Sequence, residues 1–207
     1  MGYFPLFVDL EGRDVLVIGG GTVALRKIRR LLPFGPALRV IARDFHQELQ
    51  ELAAGDGAAG LHLIRRAWDP ADLGQPALVI VAVDDRKIQQ SVSDLCRQQG
   101  VLCNAVDSPE WCSFIFPALV QQGPLTIGIN TGGRAPSFSA LLRRVLEDVI
   151  PADLEERLDK IRALREGLPP GQPRQRKVID LTVELFKDDL LKLLTGPLEE
   201  FEADQGS

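Results

Sequence analysis

Tyrosine occurs once in this chain, histidine twice and cysteine three times, and no apolar run is long. Each scarcity removes a chemistry. With Tyr3 as the single tyrosine, a Tyr-x-x-x-Lys proton relay cannot be assembled. His46 and His62 fall in what reads as the second helix and the third strand, away from the strand ends where a ligand would gather. A histidine-based acid–base site or a His-rich metal centre is therefore disfavoured, and no metal site is expected. Cys96, Cys103 and Cys112 form no C-x-x-C pair and are odd in number, so they read as buried free thiols in a reducing cytoplasm. No G-x-S-x-G nucleophile element is present. No segment approaches the ~20 apolar residues of a membrane span. The opening "MGYFPLFVDLEGRD" has neither the basic start and apolar core of a signal peptide nor a Ser or Thr at position 6 for myristoylation. A net charge of −5 argues against nucleic acid as a partner.

The 207 residues, 45% hydrophobic and 26% charged, suffice to bury a proper core in one large domain, or in one domain with an appendage. Residues 15–33 read "VLVIGGGTVALRKIRRLLP", a buried-strand pattern, three glycines and an amphipathic run stopped by Pro33. "ALRVIA" (37–42) predicts a second strand, "FHQELQELAAG" (45–55) a helix, "LHLIRR" a third strand and "ALVIVAV" (77–83) a fourth. A helix with Ile88, Val92, Leu95 and Cys96 on one face stops at Gly100, and "VLCNAV" (101–106) follows as a fifth strand. This alternation predicts an α/β fold with a Rossmann-like doubly wound parallel sheet over residues 1–113.

The rhythm then breaks. "CSFIFPALVQQGPLTIGINTGG" has no room for a crossover helix and predicts a hairpin. "APSFSALLRRVLEDVIP" predicts a helix capped by Ser137. Leu154, Leu158, Ile161 and Leu164 mark a narrow stripe on another helix over 151–167. "LPPGQPRQ" reads as a linker, "RKVIDLTVELFKDDLLKLL" as a last helix and "EEFEADQGS" as a disordered acidic tail. We divide this part into a dimerisation hairpin–helix segment, 114–150, and a helical C-terminal domain, 151–207. The narrow apolar stripe and the two-faced hairpin point to a homodimer.

Gly19-Gly20-Gly21-Thr22-Val23-Ala24 fits G-x-G-x-x-A between strand and helix in the first βα turn. There a glycine makes the turn, another lets main chain approach a pyrophosphate, and a small residue packs helix on strand. Helix N-terminal amides then face the phosphate charge. A turn that binds nothing is the alternative. Asp44, 20 residues past Ala24, suits the ribose hydroxyls of NAD, whereas Arg43 suits the 2′-phosphate of NADP; NAD is the favoured cofactor. Arg26, Lys27, Arg29 and Arg30 read as a solvated face.

In an open α/β sheet the ligand lies outside the carboxyl ends of the strands. Ala82, Val83, Asp84 and Asn104 are thus candidate cofactor contacts, while Asp84 and Asp85 serve equally well as helix caps. Asp107, in "NAVDSPEW", is either a proton acceptor facing the nicotinamide or an Asx-turn before Pro109. Gly132-Gly133 in "NTGGRAPS" either presents amides and Arg134 to a carboxylate or merely turns the chain.

Taken together, "FPLFVDLEGRDVLVIGGGTVALRKIRRLLPFG", "VAVDD", "CNAVDSPEWCSFIFPALV" and "INTGGRAPSFSALLRRVLEDVIP" resemble the precorrin-2 dehydrogenase family, the NAD-dependent part of siroheme synthases, over residues 4 to about 151. The resemblance implies oxidation of precorrin-2 to sirohydrochlorin with NAD⁺, and a Rossmann domain, an intertwined dimerisation segment and a helical domain. It implies that Thr22 and Val23 contact NAD beside the glycines, that Arg43 and Asp44 meet its adenosine end, and that Asp107 is catalytic. Thr131, where relatives carry serine, would line the tetrapyrrole pocket with Gly132, Gly133 and Arg134. Arg143 and Arg144 suit the carboxylates of precorrin-2 or a solvated helix face equally. Some relatives also insert Fe²⁺, and others carry a methyltransferase domain for which this chain is too short. A bifunctional dehydrogenase–ferrochelatase and a non-catalytic NAD(H) sensor are the alternative readings.

Overall fold

The computed structural model describes residues 2–55 and 60–195, the last four without their side chains. The acidic tail read from the sequence lies outside the described residues. Two compact units divide the chain, one spanning Phe4–Ile115 and the other running from Phe116 onward.

In the first unit, β1 (Asp14–Ile18), β2 (Ala37–Ala42), β3 (Leu61–Arg65), β4 (Leu78–Val81) and β5 (Leu102–Ala105) form one parallel sheet in the order β3-β2-β1-β4-β5. β1 is the switch point, pairing Leu16 with Arg39 on one side and with Val79 on the other. Consecutive residues of β1 and β4 are buried alike, so both faces of the sheet are covered. One face stacks Leu16, Ile18, Val79, Val81, Cys103 and Ala105 with Val92 and Cys96 of α3 (Arg86–Gln99). Between β1 and β2 runs α1 (Thr22–Leu31), whose Ala24, Leu25, Ile28 and Leu31 are buried. It ends in a 3₁₀ turn that places Pro33 just past the helix and Gly35 in the left-handed conformation. Gly100 closes α3 in the same left-handed way. The short α2 (Gln47–Ala54) is capped by the His46 ring, which accepts from the Glu48 amide. Cys96 and Cys103 are buried free thiols, while Cys112 is only half-buried.

The second unit opens with a hairpin of β6 (Ala118–Gln122) and β7 (Leu125–Ile129), turned at Gly123 with φ +52°. Helices α4 (Pro136–Val149), α5 (Leu154–Gly167) and α6 (Gln172–Thr195) follow. Two expectations are corrected here. Ser137 does not cap α4: it is the second helical residue, Pro136 is the first, and Ala135 is the capping position without a side-chain bond. The residue before a proline is held out of the helical region, and this moves the helix start one residue earlier. The linker also ends sooner, because α6 starts at Gln172 and takes Pro173 into its first turn, where a missing N–H costs nothing. Arg157 of α5 joins the helices, bonding Asp153 at 2.8 Å, Asp189 at 2.6 Å and the Leu185 carbonyl, with its guanidinium over the Phe186 ring. No helix among the described residues is long and apolar enough to cross a membrane.

Candidate nucleotide site and strand-end cleft

The glycine turn is a crossing of main chains. Gly19 has φ +119°, and a Cβ there would stand 2.1 Å from the Ala82 carbonyl oxygen. Its amide donates to Ile41 O at 2.9 Å, and Ala82 N returns a bond to Ile18 O at 2.7 Å. A Cβ on Gly20 would meet Asp44 O at 2.3 Å and the Phe45 ring at 2.8 Å. Gly20 accepts from the His46 amide at 2.7 Å, so the main chain of His46, expected away from the site, is tied to the turn. Gly21 is different: a Cβ there meets nothing within 4 Å. It is the capping residue of α1, makes no side-chain bond, and no acidic residue stands in the first turn. The first-turn amides of α1 are therefore without a side-chain cap at the positive end of the helix dipole, and Thr22 beside them is exposed. Open room beside Gly21 and uncapped amides are what a diphosphate requires. These residues fit the cofactor.

Beyond the turn, a cleft of about 240 Å³ is lined by Val23, Ala82, Val83, Asp84, Arg86, Gln89, Val106, Asp107 and Ser108. It joins five residues singled out in the sequence: Val23, Ala82, Val83, Asp84 and Asp107. A wider groove of about 510 Å³ runs along α3 between Pro70 and Gln98, but no strand end reaches it. The smaller cleft is the one that lies at the strand ends.

The ambiguity at Asp84-Asp85 is resolved by the caps. Asp85 accepts from the amides of Lys87 at 2.8 Å and Ile88 at 3.3 Å, which leaves Asp84 to the cleft. Asp107 has φ +59°, the one positive φ outside glycine among the described residues. Aspartate tolerates this conformation better than most side chains. Several bonds hold the loop in place. Buried Gln89 donates to Val83 O at 2.6 Å and to Val106 O at 3.3 Å, and accepts from Ser108 Oγ at 2.6 Å. The Cys112 thiol donates to Ala105 O and Ser108 O. Gln89 thus ties the ends of β4 and β5 together beneath the two aspartates.

Lys27 departs from the solvated-face reading, which the exposed Arg26, Arg29 and Arg30 keep. It is half-buried, and burial together with Arg30 and Arg26 pulls its ammonium below the usual lysine range, against the opposing pull of Cys112 and Asp107. Arg29 remains on the surface, paired with Glu48 at 2.6 Å. Arg86 was missed by sequence reasoning; it lines the cleft while bonded to Glu110 at 2.7 Å and stacked 4.7 Å from the Trp111 ring centroid. Asn104 does not line the cleft. It is buried within β5 and donates to Phe114 O at 3.0 Å, because it lies three residues before the strand-end turn. Thr22, Arg43 and Asp44 are exposed near the turn.

Thr131, Gly132, Gly133 and Arg134 belong to the second unit and form the turn into α4. Gly132 and Gly133 both have positive φ, 65° and 76°, and the Gly132 amide donates to Asn130 Oδ1 at 2.9 Å. Thr131 Oγ1 accepts from the Ala135 amide at 3.2 Å, so its hydroxyl serves the helix start. Arg143 pairs with Glu147 along α4. Among the described residues, no three His, Cys, Asp or Glu side chains cluster as metal ligands.

A nucleotide-binding turn at the head of a half-Rossmann sheet defines the class, and the chain belongs to the putative NAD(P)-binding family, whose model matches residues 6–118. Its relatives narrow the class. The chain is 46% identical over 152 residues to the siroheme synthase of Ectopseudomonas mendocina (strain ymp), covering 73% of this chain and 32% of that protein. It is 39% identical over 205 residues to the siroheme synthase of Actinobacillus pleuropneumoniae serotype 3 (strain JL03), covering 98% and 42%. The chain thus spans about a third to two-fifths of the length of these relatives. The solved structure of SirC, precorrin-2 dehydrogenase, superposes with a TM-score of 0.69 at 25% identity, covering 92% of this chain and 98% of that one.

Proposed function

We propose that this chain oxidises precorrin-2 to sirohydrochlorin with NAD⁺. The observation that carries the reading is one cleft lined both by Val23, in the helix turn that follows the glycines, and by Asp107. The amides of Thr22 and Val23 and the open side of Gly21 would hold the diphosphate, and Asp44 would accept from the ribose hydroxyls. Val23, Ala82 and Val83 flank the nicotinamide end. Bound there, the cofactor supplies a hydride acceptor. The Asp107 carboxylate would take the proton that leaves alongside that hydride, so that the substrate gives up two hydrogens in all. Hydride loss makes the macrocycle cationic and its remaining proton acidic, so one fixed carboxylate completes the oxidation. Gln89 and Cys112 hold that carboxylate's loop, while Arg86 and Arg134 are suited to substrate carboxylates.

The similarity to SirC and to siroheme synthases supports the dehydrogenase reading over a nucleotide sensor, which has no use for an aspartate in a left-handed turn. A homodimer is also proposed. Phe138 and Leu141 on α4, and Ile179, Val183, Leu190 and Leu191 on α6, are exposed and match the demand of a second copy.

Asp107→Asn tests the central residue, since asparagine accepts the same turn but not the proton. The rate with precorrin-2 and NAD⁺ is expected to fall on the order of 10²–10⁴-fold with little change in NAD⁺ affinity. An unchanged rate removes Asp107 from the reaction.

A further inference from the structure

The adenosine end of the site carries a residue that no motif marks. Arg65 closes β3, the edge strand beyond β2. Its guanidinium lies 5.2 Å from the centroid of the Phe45 ring. Nη2 donates to Gln50 Oε1 at 3.1 Å, while Nη1 approaches the Arg43 carbonyl at 3.5 Å and Asp44 Oδ1 at 3.4 Å. Three of these four partners, Phe45, Gln50 and the main chain of Arg43, hold Arg65 whatever the Asp44 side chain does.

Asp44 is held differently. Its side chain is 95% exposed, and its ion pair with Arg65 is long. A carboxylate so placed swings away at small cost, because a long, solvent-exposed ion pair adds little stability. Swinging away leaves the half-exposed Arg65 guanidinium, still bonded to Gln50 and lying over Phe45, at the end of β2. A 2′-phosphate needs such a group: a planar fork of donors on a cation already in position.

We propose that Arg65 admits a 2′-phosphorylated adenosine, so that the chain takes NADP as well as NAD. Asp44 serves the ribose hydroxyls of one, and Arg65 serves the phosphate of the other. The inference rests on the reading that the adenosine end lies at Asp44.

Binding to the full chain is measured by calorimetry with NAD⁺, NADP⁺ and the fragment 2′-AMP. Arg65→Met keeps an apolar stem on Phe45 and removes the charge. It is expected to weaken NADP⁺ and 2′-AMP about tenfold or more while changing NAD⁺ less than about threefold. Arg65→Lys restores only part of the loss, because the fork is gone. Asp44→Ala is expected to weaken NAD⁺ and strengthen NADP⁺. Failure of the unaltered chain to bind NADP⁺, or an equal loss of both carriers in Arg65→Met, overturns the proposal while leaving the NAD site standing. Unchanged NAD⁺ affinity in Asp44→Ala instead overturns the placement of the adenosine end, and this proposal with it.

Discussion

Three adjacent glycines answer to two different constraints. Gly19 and Gly20 are demanded by the protein itself, since a Cβ on either would collide with main-chain oxygen. Gly21 meets no atom of the chain, and its φ of −84° suits any residue. In the proposed reading it is the ligand that requires it. Gly21→Ala is therefore expected to fold with a Tm close to that of the parent, the alanine costing under about 1 kcal/mol at the capping position. Its affinity for NAD⁺ is expected to fall about tenfold or more, because the added methyl occupies the diphosphate's approach. Calorimetry and thermal unfolding of the same preparation check both halves. Parent-like affinity in a folded Gly21→Ala would mean that the open space serves nothing. The G-x-G-x-x-A pattern made the outer two glycines and Ala24 legible. Gly20 sits at a position the pattern leaves free, and its need arises only when β2's exit comes to lie against it.

At the scale of elements, local signals and distant pairings divide the account. β2 was legible to the residue, Ala37–Ala42, because an apolar β-branched run between Pro36 and the acidic exit has one reading. The end of α3 at Gly100 was equally plain. Gln89 was not legible, because its three partners lie on two strand ends and its role begins when they meet. Asp72 shows the same limit. In the turn between β3 and β4 it accepts a forked pair of bonds from Arg66 at 2.5 and 2.6 Å and one from the Asp69 amide at 2.9 Å. Arg66, helped by the Asp69 amide and Arg39, holds its carboxyl below the usual aspartate range. The folded chain thus takes up this proton less readily than the unfolded chain. The stabilisation is complete above the unfolded value of about 4 and is lost as pH falls through the lower folded value. Asp153, paired with Arg157 at the start of α5, adds to the same trend. Thermal unfolding of the parent and of Asp72→Asn should differ most near neutrality and converge in acid. A gap that persists below pH ~2 would assign the effect of Asp72 to packing rather than charge.

For the whole molecule, two units divide the residues singled out above. The first holds the open glycine turn, the exposed Asp44 carboxylate and the cleft lined by Asp107. The second supplies the glycine pair, Arg134 and exposed apolar helix faces. Similarity to SirC extends across both, whereas the NAD(P)-binding family model stops at residue 118. Binding of the nucleotide alone is common to sensors and enzymes, so turnover separates them. The most direct measurement is anaerobic incubation of the chain with precorrin-2 and NAD⁺, following both products. NADH and sirohydrochlorin appearing together in equal amounts is the result this account predicts. Tight NAD⁺ binding with neither product formed would contradict it.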